Sequence, residues 1–327
     1  MIVLQRPSAV EFAAQMTDYI IDTDVTISFS VQFKGQTILS EEYVPDANNQ
    51  VRIRKLGKFC SLALAGTWPT GNVTQQTLVA GTFTFLFNKV KDTDTLVFYS
   101  RYVSRKTASD AGFLSCISEK VTRGGAEWVS AYLTAGQSIE ARYMTPEGVV
   151  KTEKLCTQAA GSNVVTVDVS LSRIKSLFKV DQLNRYEIVS GKHVMTFYVD
   201  ETLYLDTFTF RFRNCFDCPE TVTAVGPVTL KGGDTSETGY LYGVKRKFHL
   251  QPGDEYTANS GQIFLQSDYR LWHDFVNALD VEIQVDGAWY PIVISKQKFE
   301  RSFRRNVLKA VEFSFAMADP EQNSVLL

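Results

Sequence analysis

Cys215-Phe216-Asp217-Cys218 sets two thiols at the spacing that chelates zinc or cycles between dithiol and disulfide. A structural zinc site needs a second ligand pair, and a redox C-x-x-C opens a helix inside a βαβ unit. Neither context is written here: Pro219 follows at once, strand patterns flank the motif, and the histidines are only His193, His249 and His273. The pair reads as thiols packed at a strand end, and no metal or cofactor is expected. A hydrolytic triad would need one of those histidines beside a nucleophile, yet no G-x-S-x-G elbow occurs. His193 and His249 fall in strand patterns and His273 beside Trp272 on a helix pattern. The carboxylate pairs Asp92/Asp94 and Glu41/Glu42 lie in turns or on strands and show no partner pattern for glycosidase work. The expectation is a protein that is not an enzyme.

Two surface features remain. Lys245-Arg246-Lys247, followed by Lys296, Lys298, Arg301, Arg304, Arg305 and Lys309, puts basic clusters on the surface of the C-terminal module. Phosphate neutralisation is one use of such a face, but no aromatic RNA-binding pattern or recognition helix accompanies it, so no nucleic acid is expected. A solvated face or a lysine-guarded sheet edge fits better; a third use is a salt-bridged contact with an acidic neighbour in an assembly, for which Lys296, Lys298, Arg301, Arg304 and Arg305 are the candidate interface. Trp68, between Thr67 and Pro69 and close to Gly71, is the candidate glycan contact.

The elements that must hold these residues are mostly strands. Period-two alternation predicts strands over 25–33 and 37–44, turned at Lys34-Gly35, with one wet face. Further strands are predicted over 51–54, 83–87, 96–99, 139–143, 163–169, 194–199 and 207–212. Ser8-Ala9-Val10-Glu11 has the capping-box pattern of a short helical turn. Ser170 caps a predicted helix whose Leu171, Ile174, Leu177 and Phe178 share a face. Asp268 caps a second, with Leu271, Trp272, Phe275, Val276 and Leu279 as its apolar stripe. Residues 105–112 read as a linker, 231–239 as a flexible loop and 240–250 as one long strand. Asp286-Gly287 marks a hairpin between 281–285 and 288–294, and Val311, Phe313, Phe315 and Met317 alternate as the last strand.

The fold class predicted is mainly β: two antiparallel β-sandwich-like modules at 1–110 and 111–225, then a small α+β module at 226–327. Cys218-Pro219 is expected to break the ladder and joint the second module to the third. A chain of 327 residues exceeds what one core usually serves, and its 22 Phe and 14 Tyr favour strands. Five cysteines at irregular spacing do not form a secreted disulfide framework. No apolar run approaches the length of a membrane span, and the start lacks a signal peptide, so the protein is expected to be made and kept in the cytoplasm. Net charge is −2, which gives no global field for nucleic acid or anionic membrane.

Tyr43-Val44-Pro45-Asp46-Ala47, the block from Phe113-Leu114-Ser115 to Glu127-Trp128-Val129-Ser130, and Phe210-Arg211-Phe212-Arg213-Asn214 with Pro219-Glu220-Thr221-Val222 resemble a family of tail-associated proteins from prophages of gut Bacteroidales. The resemblance implies a non-enzymatic structural component of a tail tip or baseplate, with other tail or virion proteins and further copies of itself as partners. It transfers no catalytic residue. Where that family is expected to have a glycine-rich joint, this chain has Cys215-Phe216-Asp217-Cys218. The alternative is a carbohydrate-binding or adhesion β-sandwich protein.

Overall fold

The computed structural model describes residues 1–298 and 310–326. About 50% of the chain is strand and about 12% helix, so the fold is mainly β, as the alternation predicts. Among the described residues the strands form six sheets.

The first sandwich opposes a small sheet, β1 (Ile2–Gln5), β3 (Tyr19–Asp22) and β6 (Gln50–Ile53), to a larger one. The larger runs β2 (Val10–Phe12), β9 (Val90–Phe98), β8 (Ala80–Phe87), β4 (Ile27–Phe33) and β5 (Gln36–Tyr43). Alternate residues supply the core: Phe29, Val31, Phe83 and Phe85 point inward onto Tyr19 and Ile21. Lys34 and Gly35 both take positive φ and turn β4 into β5. The strand β5 lies at the edge of this sheet and is mostly exposed, with Leu39 and Tyr43 half-buried against the core. Helix α1 (Leu56–Leu62) closes this core with Leu56 and Cys60.

The second sandwich packs β11 (Trp128–Thr134), β14 (Ser162–Asp168) and β7 (Val73–Gln76) against a five-stranded sheet. That sheet runs β10 (Glu119–Thr122), β16 (His193–Val199), β15 (Arg185–Ser190), β12 (Ser138–Met144) and β13 (Val150–Thr157). Helix α2 (Leu171–Phe178) lays Leu171, Ile174 and Phe178 on its core, as predicted, although the Ser170 side chain makes no capping bond.

The last sheet runs β18 (Pro219–Ala224), β17 (Phe208–Arg213), β23 (Val281–Val285), β24 (Ala288–Lys298), β25 (Glu312–Met317), β22 (Glu255–Asn259) and β19 (Val228–Lys231). Helix α3 (Gln266–Val276) brings Phe275 to 5.5 Å from both Phe210 and Phe212 and to 5.1 Å from Phe313. Asp286 and Gly287 both adopt positive φ at the β23–β24 turn. The sixth sheet is the hairpin β20 (Asp234–Leu241) and β21 (Val244–Pro252), which pairs with nothing else.

Several expectations are corrected. Sheets cross both expected boundaries: β7, from the first 110 residues, is an edge of the second sandwich, and β17 and β18, placed before 226, belong to the last sheet. One apolar core also runs unbroken from Phe113 to Met317. Pro219 does not end the ladder but begins β18 opposite Arg213, a strand-initial place where a missing N–H costs nothing. The Ser8 amide does donate to Glu11 at 2.8 Å, but residues 10–12 form β2 and only a 3₁₀ turn, Ala13–Gln15, follows. Of residues 231–239 all but Gly232 and Gly233 are strand rather than loop, and 240–250 fold back on themselves because Tyr242 and Gly243 take the positive φ of a primed turn. Asp268 lies inside the first turn of α3, not at its cap, and Leu279 falls beyond the helix at 78% exposure.

Candidate functional site

The loop 214–218 between β17 and β18 is a small knot to which every module is tied. Asn214 organises it: its Oδ1 accepts from the Phe216 and Cys218 amides at 2.9 and 3.1 Å, and Asp217 takes positive φ to close the turn. From the first sandwich, the Arg101 amide donates to the Cys215 carbonyl at 2.8 Å, the Gly66 amide donates to the Asp217 carboxylate, and Phe12 meets the Phe216 ring at 5.3 Å. From the second, the Leu114 carbonyl accepts from Asn214 Nδ2 at 2.8 Å. From α3, Asp274 accepts the Cys215 amide at 2.8 Å while also taking Arg101 and the Tyr102 hydroxyl. Cys215 and Cys218 are free and buried in this knot, and burial pushes both thiols well up, so they pack as small hydrophobes.

Around the knot sit buried charges. Glu220 accepts from Ser115 Oγ and from Asn214 Nδ2 at 2.8 Å, yet complete burial raises its pKa to about 7. Lys120 is paired with Glu127 and donates to the Thr221 carbonyl at 2.7 Å. Asp268 accepts the Val121 amide at 3.3 Å, binding α3 to β10, and burial lifts its pKa to about 7 against the pull of Lys120. Lys106, in the segment expected to be a linker, donates to the Phe113 carbonyl, and burial lowers its pKa. Residues 105–112 are therefore fastened down. These acids and bases are each spent on a neighbour across a module boundary. They do not converge on a shared cleft.

Trp68 is half-buried and engaged. The Arg211 guanidinium lies 4.5 Å from its ring centroid and 4.5 Å from that of Trp289, which itself sits 6.0 Å from Trp128. Arg211 is held by Glu282, and Arg213 reaches the Gly66 carbonyl at 3.1 Å and Asp280 at 2.8 Å. The loop bearing Trp68 is thus strapped over the last sheet rather than offered at a free tip.

The candidate basic face divides. Lys296 is paired with Glu255 at 2.9 Å, and Lys298 is an exposed residue ending β24. Arg301, Arg304 and Arg305 lie outside the described residues. Lys245 and Arg246 stand with Lys247 on β21 of the projecting hairpin, beside an apolar tip of Tyr240, Leu241, Tyr242 and Val244 in which Tyr242 is 96% exposed. The sequence hides that tip, because 240–250 reads as one strand. The signal for it was the Tyr242-Gly243 pair inside the run.

No family model matches this chain, and no curated protein matches it. Among solved structures, the crystal structure of the I9-I11 tandem from titin is similar at 8% identity over 78% of this chain and 93% of that one, with a TM-score of 0.18, which carries no argument. The multi-domain, β-sandwich-like architecture stands on the sheets described above. Among the described residues no helix is long and apolar enough to cross a membrane.

Proposed function

We propose that this chain is a non-enzymatic structural component of a phage or prophage tail or tail-like assembly, working in several copies beside other tail proteins. The observation that carries the reading is the contrast between the knot and the hairpin. Three modules are cross-fastened through loop 214–218, while β20–β21 leaves the body with an exposed apolar tip. A cross-fastened body with one projecting arm suits a scaffold that positions neighbours. Apolar side chains left together on a surface usually mark an interaction site. The resemblance of the segments around Tyr43, Phe113 and Phe210 supports the same reading. The adhesion alternative has less behind it, because the ring of Trp68 is engaged by Arg211.

The test is to induce particles from the source genome, purify them, and quantify the chain by mass spectrometry. A fixed ratio to the other tail proteins is expected. Its absence from purified particles would overturn the proposal, and binding on a glycan array that is lost in Trp68→Ala would favour the alternative.

A further inference from the structure

We propose that the hairpin β20–β21 of one copy pairs along the open edge of β5 in a second copy, extending the five-stranded sheet. This rests on the reading of the chain as a self-assembling structural protein and names the surfaces by which copies meet.

The hairpin needs a partner. A two-stranded sheet alone is marginal in water, and both its outer edges present unpaired backbone groups. The strand β5 offers a matching row. It is paired on one side only, with β4, and its residues other than Leu39 and Tyr43 are exposed. Its eight residues against nine in β21 give contact lines of similar length, roughly 26 Å at the usual rise per residue.

Charge selects this edge from the other long exposed one. β5 carries Glu41 and Glu42 with no lysine or arginine, and Asp46 follows it. Lys245, Arg246 and Lys247 are consecutive on β21. The competing edge, β13, carries Lys151 and Lys154 against a single Glu153 and would meet the hairpin with like charge. Apolar groups lie at both surfaces as well: Ile38 and Val44 on or beside β5, with Val44 76% exposed, and Leu241, Tyr242 and Val244 at the hairpin tip. One patch meets a different patch, which makes the contact heterologous and generates a ring or a filament according to the rotation it imposes.

The experiment is sedimentation velocity of the full chain across a concentration series at low and high salt, with two variants. Lys245→Glu/Arg246→Glu and Glu41→Lys/Glu42→Lys are each expected to weaken self-association by at least about tenfold. An equimolar mixture of the two is expected to associate again, because each then meets an opposite charge. Hydrogen exchange on the wild-type chain supplies a readout that needs no variant to fold: β5 amides should gain protection as concentration rises. A wild-type chain that stays monomeric, or association indifferent to both reversals, overturns the inference. A monomer still found in particles leaves the tail role standing. Self-association along β5 by a chain absent from particles leaves this contact standing and removes the tail role.

Discussion

Asn214 Nδ2 donates to the Glu220 carboxylate at 2.8 Å while the other end of the same amide closes the turn, so a single side chain both shapes loop 214–218 and solvates a buried acid. Removing it leaves two amides and a carboxylate short of partners in a place water does not reach. Asn214→Ala is expected to lower unfolding free energy by roughly 2–3 kcal/mol, the usual penalty for orphaned buried groups. Equilibrium denaturation measures it, and a change within the error of the wild type would dismiss Asn214 as the organiser of the knot.

Glu220 and Asp268 have pKa values of about 7 in the folded chain, raised by burial from ordinary values of 4.5 and 3.8. The folded state therefore holds these protons more tightly than the unfolded chain does. The stability this gives is complete below about pH 4 and is lost as pH rises towards about 7. Between pH 5.5 and 8 the Glu220 share is roughly 2 kcal/mol of lost stability. Denaturant melts at the two pH values should show the decline, and Glu220→Gln should make it shallower. A slope unaltered by that substitution would assign the pH dependence to other groups.

Gly66 approaches the knot so closely that an added Cβ would sit 1.8 Å from the Asp217 carbonyl oxygen. Gly66→Ala must push the strap off the last sheet, and a loss of about 2 kcal/mol or more is expected, as for other overpacked sites. Gly71, five residues on in the same loop, has nothing within 4 Å of its added Cβ, and its alanine variant should stay within about 0.5 kcal/mol of the wild type. Equal melting midpoints for the two variants would contradict the close contact.

Trp68 and Arg211 are expected to act together. A cation over an aromatic face is worth about 0.5–2 kcal/mol, so Trp68→Ala and Arg211→Ala should each destabilise, with the double variant less affected than the sum. A double-mutant cycle by denaturation reads the coupling directly. Strict additivity would show that the stacking contributes nothing.

Trypsin separates the fastened segment from the free one. Arg105 and Lys106 precede a stretch whose Lys106 amine is bound to the Phe113 carbonyl, whereas Lys245 and Arg246 lie near the tip of a hairpin joined to no other sheet. Among the described lysines and arginines, the earliest cut of the chain at a dilution where it is monomeric should fall at 245–246. Timed digestion read by mass spectrometry tests this, and earlier cleavage at 105–106 would mean that the linker expected from composition is the weaker place.

The strands were legible because one-sided burial imposes period two on the side chains. Phe29, Val31, Phe83, Phe85, Phe313 and Phe315 announce their faces without reference to anything distant. The Asp286-Gly287 turn and the apolar stripe of α3 as far as Val276 were legible for the same reason: positive φ and helical spacing are local demands on residue type. The importance of 214–218 was also visible as a break in pattern, but its meaning was not. Pro219 looks like an interruption in one dimension and is a strand-initial residue in three.

What the sequence could not carry is which strand lies beside which. Nothing in Val73–Gln76 says that it completes the second sandwich, and nothing in Phe208–Arg213 says that it belongs with residues 281–317. Those choices minimise exposed apolar area summed over the whole chain, so they depend on residues about seventy or more positions apart. The same holds for Trp68, whose composition-based place is an open tip and whose actual place is under Arg211, and for Lys106, whose charge reads as solvent-facing until the Phe113 carbonyl is brought to it. Alternation and turn chemistry decided the elements. Long-range burial, and the need of each buried polar group for a partner, decided their neighbours.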